Sequence, residues 1–344
     1  MAVTKATFTS DVGTAFVVSG EDFPDALAAG PVGAHRWPVL LTKRDSLPVV
    51  VAAELTRLDP GMVIVVGGSG VITDVTVDQI KAASGAEEVR RLAGGDRYAT
   101  AVKVAEILEE FQTVYIASGE SFADAVAAGP AAGKESAPLL LTRATTLPAV
   151  TRDYLKGKEL KKIVLVGGTA AISAQVEMSV RALVPSASLV RHGGRDRYDT
   201  ARLVALSLWP SSAETVFYAP GANFPDALAA TPAAIVNDAP LLLTAPSCNP
   251  YETTVATGQL RPSGPEAPAL RQVAVGGEGV TYAGAVICGP KPAYLPFPEG
   301  LGCKEFPSQA AAQAWFTYWY PRVGDVFLLD RDNDRKVCEV WPPR

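Results

Sequence analysis

Three aspartates recur at nearly equal intervals, each inside the same short motif. Asp25 lies in SGEDFPDALAAGP, Asp124 in SGESFADAVAAGP and Asp226 in PGANFPDALAATP, so the intervals are 99 and 102 residues. A carboxylate in such a motif can act as a catalytic acid or base, cap a helix or bind a sugar hydroxyl. No second carboxylate recurs at a matched position in all three motifs. The pattern therefore argues against catalysis and favours helix capping.

Two arginines occupy a second motif, which the chain contains twice. It reads RLAGGDRYATA from Arg91 and RHGGRDRYDTA from Arg191, and it places Arg97 and Arg197 beside aspartates. Arginine binds phosphate or carboxylate through a two-pronged fork, so one interpretation is an anion site. The other is a local Asp–Arg–Tyr network that caps a helix and holds two repeats together. The sequence leaves both interpretations open and favours the structural one.

Paired glycines follow an apolar run in each repeat. The pairs are Gly67 and Gly68, Gly167 and Gly168, and Gly276 and Gly277. Glycine amides can cradle a phosphate, but the segments GGSGVIT and GGTAAIS lack both the GxGxxG spacing and a Walker lysine. A tight strand-to-helix turn is therefore the favoured interpretation. Such a turn still leaves amide groups at the carboxyl edge of a sheet, where open α/β sheets bind ligands.

The hydrophobic pattern predicts the elements that hold these residues. TAFVVSG, TVYIASG and TVFYAPG are short β-branched runs that end in glycine, which is typical of buried strands. The FPDALAA-type runs that follow are rich in helix formers, and the PVLLT-type and VIVVGG-type runs predict two further strands. Strands that alternate with helices predict βαβ units. We therefore expect an α/β fold with a mostly parallel sheet in each repeat.

The composition excludes several classes of protein. The chain has 344 residues, 48% hydrophobic and 19% charged, which is typical of a globular protein of two or three domains. The net charge of −5 argues against a nucleic-acid partner. No apolar run reaches the roughly 18 residues of a membrane span. The first residues, MAVTKATFTSD, have no apolar signal core, so we expect a signal peptide to be absent from this chain.

All four cysteines lie in the last hundred residues, and none has the CxxC spacing of a metal site. They are Cys248, Cys288, Cys303 and Cys338. The alternatives are four buried free thiols or disulfides, and disulfides are expected because the last part of the chain is too short to be stabilised by a core of its own. Pairing the first cysteine with the second, and the third with the fourth, staples two successive local units. Either other pairing links the third repeat to the tail.

The motifs DFPDALAAGP, PVLLT, VVGG and GGDRYATA, in this order and repeated, resemble the cell-wall-binding repeat type 2 family of Gram-positive surface proteins. The resemblance covers roughly residues 10–290. It implies three Rossmann-like or toprim-like modules around a pseudo-threefold axis. It also implies a non-catalytic, extracellular, wall-associated protein that binds an anionic secondary wall polymer or a peptidoglycan-linked glycan. We expect modules at 1–90, 91–190 and 191–295, the first truncated at its N-terminal helix because it lacks the second motif.

The resemblance also implies where the polymer binds, namely at the PVLLT-type segments, and to these we add the two motif arginines. The expected contacts are Pro38, Leu40, Leu41, Thr42, Arg97, Pro138, Leu140, Leu141, Thr142, Arg197, Pro240, Leu242, Leu243 and Thr244. The basic residues Lys43, Arg44 and Arg143 adjoin the first two segments. In the third module Pro220 replaces serine, the VVGG run is one residue shorter and the segment from Cys248 to Arg271 is longer, so its polymer site departs most from the family pattern.

The tail, residues 296–344, resembles the Excalibur extracellular calcium-binding region, on the segments CKEFPSQAAAQAWF and LDRDNDRKVCE. This resemblance implies a small disulfide-stapled domain that binds Ca²⁺. The implied ligands are Asp330, Asp332, Asp334, the carbonyl of Lys336 and Glu339. Arg335 stands where that family has glycine. The alternative is an acidic surface turn held by a disulfide.

Two other functions remain as alternatives to an anchor. One is a sugar- or nucleotide-processing α/β enzyme, and the other is a surface-layer protein whose modules self-associate. The enzyme alternative has no candidate catalytic histidine, because His35 and His192 stand at non-equivalent repeat positions and near no nucleophile motif.

Overall fold

The computed structural model describes residues 2–31, 37–262 and 268–276, together with Cys288 and Gln309. In this part of the chain, strands and helices alternate and build three separate sheets, each fully parallel. The predicted α/β class with three parallel-sheet modules is confirmed. Each sheet defines one module.

The first module begins with a short helix and contains four strands. Its elements are α1 (Ala2–Thr7), β1 (Thr14–Ser19), α2 (Pro24–Leu27), β2 (Val39–Thr42), α3 (Val49–Leu58), β3 (Met62–Val66), α4 (Asp74–Ser84) and β4 (Glu88–Leu92). The strand order is β2-β1-β3-β4. Phe16 on β1 lies beside Val39 and Ile64 on its two neighbours.

The second and third modules repeat this plan. The second contains α5 (Arg97–Ala105), β5 (Thr113–Ser118), α6 (Ala123–Lys134), β6 (Leu139–Thr142), α7 (Ala149–Leu155), β7 (Lys162–Val166), α8 (Ala174–Leu183) and β8 (Ser188–His192). The third contains α9 (Arg197–Leu208), β9 (Thr215–Pro220), α10 (Pro225–Val236), β10 (Leu241–Thr244), α11 (Tyr251–Leu260) and β11 (Arg271–Ala274). Their strand orders are β6-β5-β7-β8 and, for the described residues, β10-β9-β11.

The central strands are buried along their whole length because helices cover both faces of each sheet. Every residue of β1 and of β9 is buried, and β5 is buried after its first residue. A strand covered on both sides reads as a continuous apolar run rather than an alternating one. The pattern that predicted these strands therefore also predicted their central position.

The predicted module boundaries fall inside two strands. Strand β4 ends at Leu92 and β8 ends at His192, and each strand pairs along its length with the strand before it, β3 and β7. The residues that follow the predicted boundaries at 90 and 190 therefore complete the preceding sheet. Each second motif begins in the last strand of one module and continues into the first helix of the next.

The three modules contact one another around a central axis. Helix α5 packs on α2 of the first module, α9 packs on α6 of the second, and α1 packs on α10 of the third. Because the last of these contacts joins the third module back to the first, the ring is closed, and this is the predicted pseudo-threefold arrangement. We call these contacts the first, second and third junctions.

A disulfide joins Cys248 to Cys288, with their Cα atoms 5.0 Å apart. The bond links the start of the α11 segment to the chain beyond β11, so it lies at the third module, as the local pairing predicts. Either alternative pairing is excluded by this bond. Cys303 and Cys338 lie outside the described residues.

Candidate functional site

The repeated aspartate, the paired glycines and the second motif meet at the first junction. Thr100 on α5 donates a hydrogen bond to the Asp25 carboxylate on α2. Burial raises the pKa of Asp25, while Thr100 and Arg97 act to lower it. Gly67 has φ of +125°, and a Cβ built there would lie 3.3 Å from the Asp25 Oδ2 atom. The tight turn predicted for the glycine pair is present, and it makes room for this carboxylate.

The second junction repeats the arrangement. Thr200 donates a hydrogen bond to Asp124, and burial raises the pKa of this carboxyl group to about 6. A Cβ at Gly167, where φ is +128°, would lie 2.8 Å from Asp124 Oδ2. Motifs that lie far apart in the sequence thus form one contact between modules.

The predicted helix-capping role of the aspartates is not what the structure shows. The N-cap residues of α2, α6 and α10 are Phe23, Phe122 and Phe224, and none of them makes a side-chain cap hydrogen bond. Asp25 and Asp124 lie in the first turn, where a negative charge is favourable, but their hydrogen bonds go to the next module. The aspartates do not cap these helices because a phenylalanine occupies each N-cap position, and its ring lies toward the axis around which the modules pack.

Arg97 bridges the first and second modules. Its Nη1 donates to the Gly119 carbonyl at 2.7 Å, and its guanidinium carbon lies 6.0 Å from the centroid of the Phe23 ring. Asp96 caps α5 by accepting a hydrogen bond from the Ala99 amide. These contacts are those of the predicted Asp–Arg–Tyr network that caps a helix and holds two repeats together.

Arg197 has the same role at the second junction. It donates a hydrogen bond to the Gly221 carbonyl, and its guanidinium carbon lies 5.5 Å from the Phe122 ring centroid. Asp196 caps α9 by accepting from the amides of Tyr198 and Asp199. Both arginines remain partly exposed, so a bridge between modules does not remove them from solvent.

Three phenylalanines meet at the axis and form what we call the phenylalanine trio, Phe23, Phe122 and Phe224. Their ring centroids are 5.8 Å apart for two pairs and 6.1 Å apart for the third, in edge-on or tilted geometry. All three rings are partly exposed. The sequence analysis did not identify these phenylalanines as contacts between modules. Each stands two residues before a repeated aspartate, and this regular position could have indicated a shared role.

The PVLLT-type segments lie inside the sheets as β2, β6 and β10 together with the preceding prolines. All of the polymer contacts predicted in them have buried side chains except Leu41, which is partly exposed. Leu40, Leu140 and Leu242 have no exposed surface at all. A side chain enclosed in this way cannot reach a polymer, so these residues form the core beneath the surface. The prediction that they make direct contacts needs this correction.

The threonines that end these strands organise the loops that follow. Thr42 Oγ1 donates to the carbonyls of Lys43 and Ser46, and Thr142 makes the same two bonds with Arg143 and Thr146. Thr244 is also buried, and its hydroxyl donates to the Ala219 carbonyl. The exposed surface at the ends of these strands is therefore formed by the loops that follow them.

The loop after β6 adds a second arginine to the first junction. The guanidinium carbon of Arg143 lies 5.1 Å from the centroid of the Tyr98 ring, and Tyr98 packs against Gly119. The exposed residues Lys43 and Arg44 lie in the corresponding loop of the first module, where Arg44 donates to Gly70 and pairs with Asp45. No salt bridge is formed by Arg97 or Arg143 with a described residue.

The second junction differs from the first in its carboxylates. Arg195 lies 2.8 Å from Glu252 and 3.4 Å from Asp199, and Arg202 lies 2.8 Å from Asp199. Glu252 and Asp199 therefore neutralise Arg195 and Arg202 at the second junction. At the first junction, Arg97 and Arg143 lie over aromatic rings.

Some predicted site residues lie outside the described part of the chain. They are Gly277, the cysteines 303 and 338, and the calcium ligands Asp330, Asp332, Asp334, Lys336 and Glu339. Within the described part, no helix combines the length and the apolar character needed to cross a membrane.

Comparison with known proteins matches the chain to the family described as Cell wall binding domain 2 (CWB2), over residues 1–77, 91–177 and 191–285. Each matched range contains three strands of one sheet, β1 to β3, β5 to β7 and β9 to β11, and the second and third ranges begin at Arg91 in β4 and Arg191 in β8.

The chain is also similar to two curated proteins of Bacillus subtilis (strain 168). It is 32% identical over 236 residues to N-acetylmuramoyl-L-alanine amidase LytC, covering 68% of this chain and 46% of that protein. It is 32% identical over 168 residues to a protein named Amidase enhancer, covering 48% of this chain and 22% of that protein. The chain thus spans less than half the length of these relatives.

Two solved structures from Clostridium difficile have a similar fold. Cwp8 matches with a TM-score of 0.70 and 28% identity over 81% of this chain and 47% of its own. Cwp6 matches with a TM-score of 0.69 and 25% identity over 77% of this chain and 41% of its own.

Proposed function

The chain belongs to the Cell wall binding domain 2 (CWB2) family, and on that premise we propose that it is a non-catalytic anchor. In this proposal it retains a secreted protein on the Gram-positive cell wall by binding an anionic secondary wall polymer. The likeness to an amidase covers 46% of that protein, and we do not carry its activity over. The family match over all three modules supports the anchoring role.

The observation that carries the proposal is the pairing of arginines with aromatic rings where modules meet. Arg97 lies over Phe23 and Arg143 over Tyr98, all at the first junction. Guanidinium groups bind phosphate or carboxylate through paired hydrogen bonds, and aromatic rings stack on the faces of sugars. Tyr98 is buried, so the surface consists of Arg97, the exposed Arg143 and the partly exposed Phe23 ring, a combination that suits a polymer of sugars and acidic groups.

The acidic net charge of the chain is compatible with an anionic ligand. Binding depends on the local field, and a cleft that collects cations attracts anions even on a protein of net charge −5. Ordinary surface arginines gain little from isolated pairs. Arg97, in contrast, is held in place by its bond to Gly119, so less side-chain freedom is lost when an anion binds.

We infer that the first junction is the stronger polymer site. Arg195 at the second junction already faces Glu252 and Asp199, so an anion there would meet two carboxylates. Arg97 and its counterpart Arg197 both form no salt bridge with a described residue, so the first junction differs in having Arg143 as a second arginine that pairs with no described carboxylate. Each junction would bind weakly, and several contacts on one chain would together give retention.

The test is a pull-down on purified Gram-positive cell walls, run beside walls from which the secondary polymers have been stripped. We expect binding to intact walls and its loss on stripping. Equal binding to both preparations would identify peptidoglycan itself as the ligand and overturn the polymer proposal. Binding to neither would overturn the anchoring proposal and favour an enzyme or a self-assembling layer.

We also propose that the tail binds Ca²⁺ through Asp330, Asp332, Asp334, the carbonyl of Lys336 and Glu339. The support is the resemblance of the sequence LDRDNDRKVCE to the Excalibur loop and the oxygen-rich ligand set that Ca²⁺ prefers. A chelator should lower the melting temperature of the tail and leave the transition of residues 1–290 unchanged. Unchanged melting of the tail in chelator would contradict the metal site.

A further inference from the structure

The second module has an open cavity at the amino edge of its sheet. The loops that enter β5, β7 and β8 form it, and they contribute Gln112, Lys161 and Ser186 to its lining. Its volume is about 500 Å³. Because the strands are parallel, Arg97 lies at the opposite edge, where it bonds the carbonyl that follows β5. The five residues of β7 separate the two edges by about 16 Å.

Lysines dominate the charge at this cavity. Four of the twelve lysines of the chain lie within seven consecutive positions, as Lys156, Lys158, Lys161 and Lys162. Lys158 and Lys161 line the cavity and are exposed, and Glu159 is the only carboxylate among its described lining residues. The lining therefore has an excess of positive charge, in a chain whose net charge is −5.

The two lining lysines are available to a ligand. Among the described lysines, those that form salt bridges are Lys134 and Lys162, and the latter lies 3.0 Å from Glu135. Lys158 and Lys161 form none with a described residue. Their charges therefore face the cavity and the solvent without a carboxylate partner in the described part of the chain.

Two aromatic rings hold Lys158 in place. Its Nζ atom lies 4.6 Å from the centroid of the Tyr154 ring and 5.4 Å from that of Phe111, and the two rings stack with centroids 6.5 Å apart. A cation near an aromatic face is attracted by the negative face of the ring. The ammonium group is thus positioned beside the cavity before a ligand arrives, so less side-chain freedom is lost on binding.

The first module has no lysines at the equivalent positions. The starts of β3 and β7 show that equivalent residues of these modules are 100 apart. Lys158 and Lys161 therefore correspond to Leu58 and Gly61. Leu58 has no exposed surface, and glycine has no side chain. Since the first module lacks this charge, the lysine cavity is not part of a surface that every repeat shares.

We propose that this cavity of the second module binds a phosphate group that is joined to a small organic group. Lys158 and Lys161 would bind the phosphate oxygens as point charges, and the Ser186 hydroxyl can donate a hydrogen bond to them. Leu183 and Pro185 line the same cavity and would contact the organic group. A volume of about 500 Å³ lies within the range of roughly 300–1,000 Å³ that is typical of small-molecule sites.

The site does not depend on the proposed anchoring function, so its test needs no cell wall. Isothermal titration calorimetry of the full chain with glycerol phosphate at low salt measures the binding, and glycerol is the uncharged control. We expect saturable binding of glycerol phosphate alone. The double variant Lys158→Gln with Lys161→Gln should bind at least tenfold more weakly. No saturable binding to the native chain, or equal binding to the double variant, would overturn the proposal.

The matched control is Lys81→Gln with Lys103→Gln. These exposed lysines lie in α4 and α5 and do not line the cavity. The control removes the same charge from the chain, and we expect it to bind glycerol phosphate as the native chain does. An equal loss in the control would show a general attraction of anions by net charge and would overturn the site.

Glu159→Gln gives a change in the opposite direction. It removes the carboxylate that would repel a phosphate in the cavity, so we expect glycerol phosphate to bind several-fold more tightly. A gain of affinity cannot result from a variant that fails to fold. Unchanged or weaker binding by a folded Glu159→Gln variant would contradict a phosphate in contact with this lining.

The phosphate can belong to a soluble ester or to a repeating unit of a wall polymer, and a pull-down on intact walls distinguishes these sources. If the lysine double variant loses glycerol phosphate binding but keeps its retention, the site serves a soluble ester. If retention falls as well, and the control pair keeps it, the site holds a polymer phosphate. Because the calorimetry uses no walls, a failure of the anchoring proposal leaves its result unaffected.

Discussion

The guanidinium carbon of Arg97 lies 6.0 Å from the centroid of the Phe23 ring, and the two residues belong to neighbouring modules. Arg197 and Phe122 repeat the relationship at 5.5 Å. A cation over an aromatic face contributes about 0.5–1 kcal/mol at exposed sites and about 2 kcal/mol when desolvated. Each arginine thus stabilises a junction and also remains partly exposed to a ligand.

Replacing both arginines, Arg97→Ala with Arg197→Ala, should weaken retention on intact cell walls by about tenfold or more. The reason is that hydrogen bonds to charged groups contribute about 1.5–3 kcal/mol each. Retention is measured as the bound fraction over a dilution series, with circular dichroism to verify folding. Full retention by a folded double variant would exclude these arginines as polymer contacts.

The matched control is Arg152→Ala with Arg181→Ala. It removes the same two positive charges from exposed helix positions, where the side chains are 52% and 59% exposed. We expect this control to retain wall binding, since the proposal depends on the position of the charges. An equal loss in the control would show that net charge alone governs retention.

Phe122→Ala should lower the free energy of unfolding by about 2–3 kcal/mol and divide one cooperative transition into more than one. A buried Phe→Ala change costs about 3–5 kcal/mol, and Phe122 is partly exposed but touches both other rings of the trio. Differential scanning calorimetry measures both effects. A destabilised variant that still unfolds in a single transition would contradict the role of the trio in coupling modules.

Phe111→Ala is the control for the trio. Phe111 stacks on Tyr154 inside the second module, with ring centroids 6.5 Å apart, so it contacts no other module through this pair. We expect destabilisation of the second module without a change in its coupling to the other two.

The sequence predicted the sheets because each strand is a short β-branched run between glycines and helix formers. The same reasoning misjudged the PVLLT-type segments. A continuous apolar run in a parallel sheet is buried on both faces, so residues such as Leu140 and Leu242, with no exposed surface, cannot also be surface contacts. The strand prediction already implied this burial.

The closure of the ring could not be predicted from local patterns. It depends on contacts between residues in different modules, such as Phe23 with Phe224 and Thr200 with Asp124. A single sequence shows only that these residues recur, and recurrence does not tell which module each one contacts. The structure shows that two of the repeated aspartates, Asp25 and Asp124, bind the next helix instead of capping their own.

Gly133→Ala should destabilise the chain by about 1–3 kcal/mol, because it overpacks the contact between α6 and α10. A Cβ at this position would lie 2.3 Å from the Ile235 Cδ1 atom and 2.7 Å from its Cγ1 atom. In an Ile235→Ala background the clash is gone, and the change should stabilise by up to about 1 kcal/mol through helix propensity. Chemical denaturation of the four variants in this cycle gives both values.

Gly258→Ala is the control for the helix propensity in this cycle. Gly258 lies in α11, and a Cβ there meets nothing within 4 Å. We expect Gly258→Ala to raise the free energy of unfolding by up to about 1 kcal/mol.

Additive effects of Gly133→Ala and Ile235→Ala on the free energy of unfolding would show that the two side chains do not compete for space.

Asp124→Asn should change how stability depends on pH. Burial raises the pKa of the folded-state carboxyl group from 3.8 to about 6, against the opposing effects of Thr200 and Arg197. The folded chain therefore holds this proton more tightly than the unfolded chain. The stability that this tighter binding of the proton gives the folded chain is fully present below about pH 3.8, and it is lost as the pH rises through about 6.

Because asparagine does not ionise, the Asp124→Asn variant does not lose this stability as the pH rises. The melting temperature of the Asp124→Asn variant minus that of the native chain should therefore increase between pH 4 and pH 6 and remain level above pH 7. Asparagine can still accept the Thr200 hydrogen bond through its carbonyl oxygen, so the comparison isolates the charge. Thermal melts at half-unit steps from pH 4 to pH 8 measure the difference. A constant difference across this range would show that Asp124 ionises as easily in the second junction as it does in the unfolded chain, and that the junction does not disfavour its charged form.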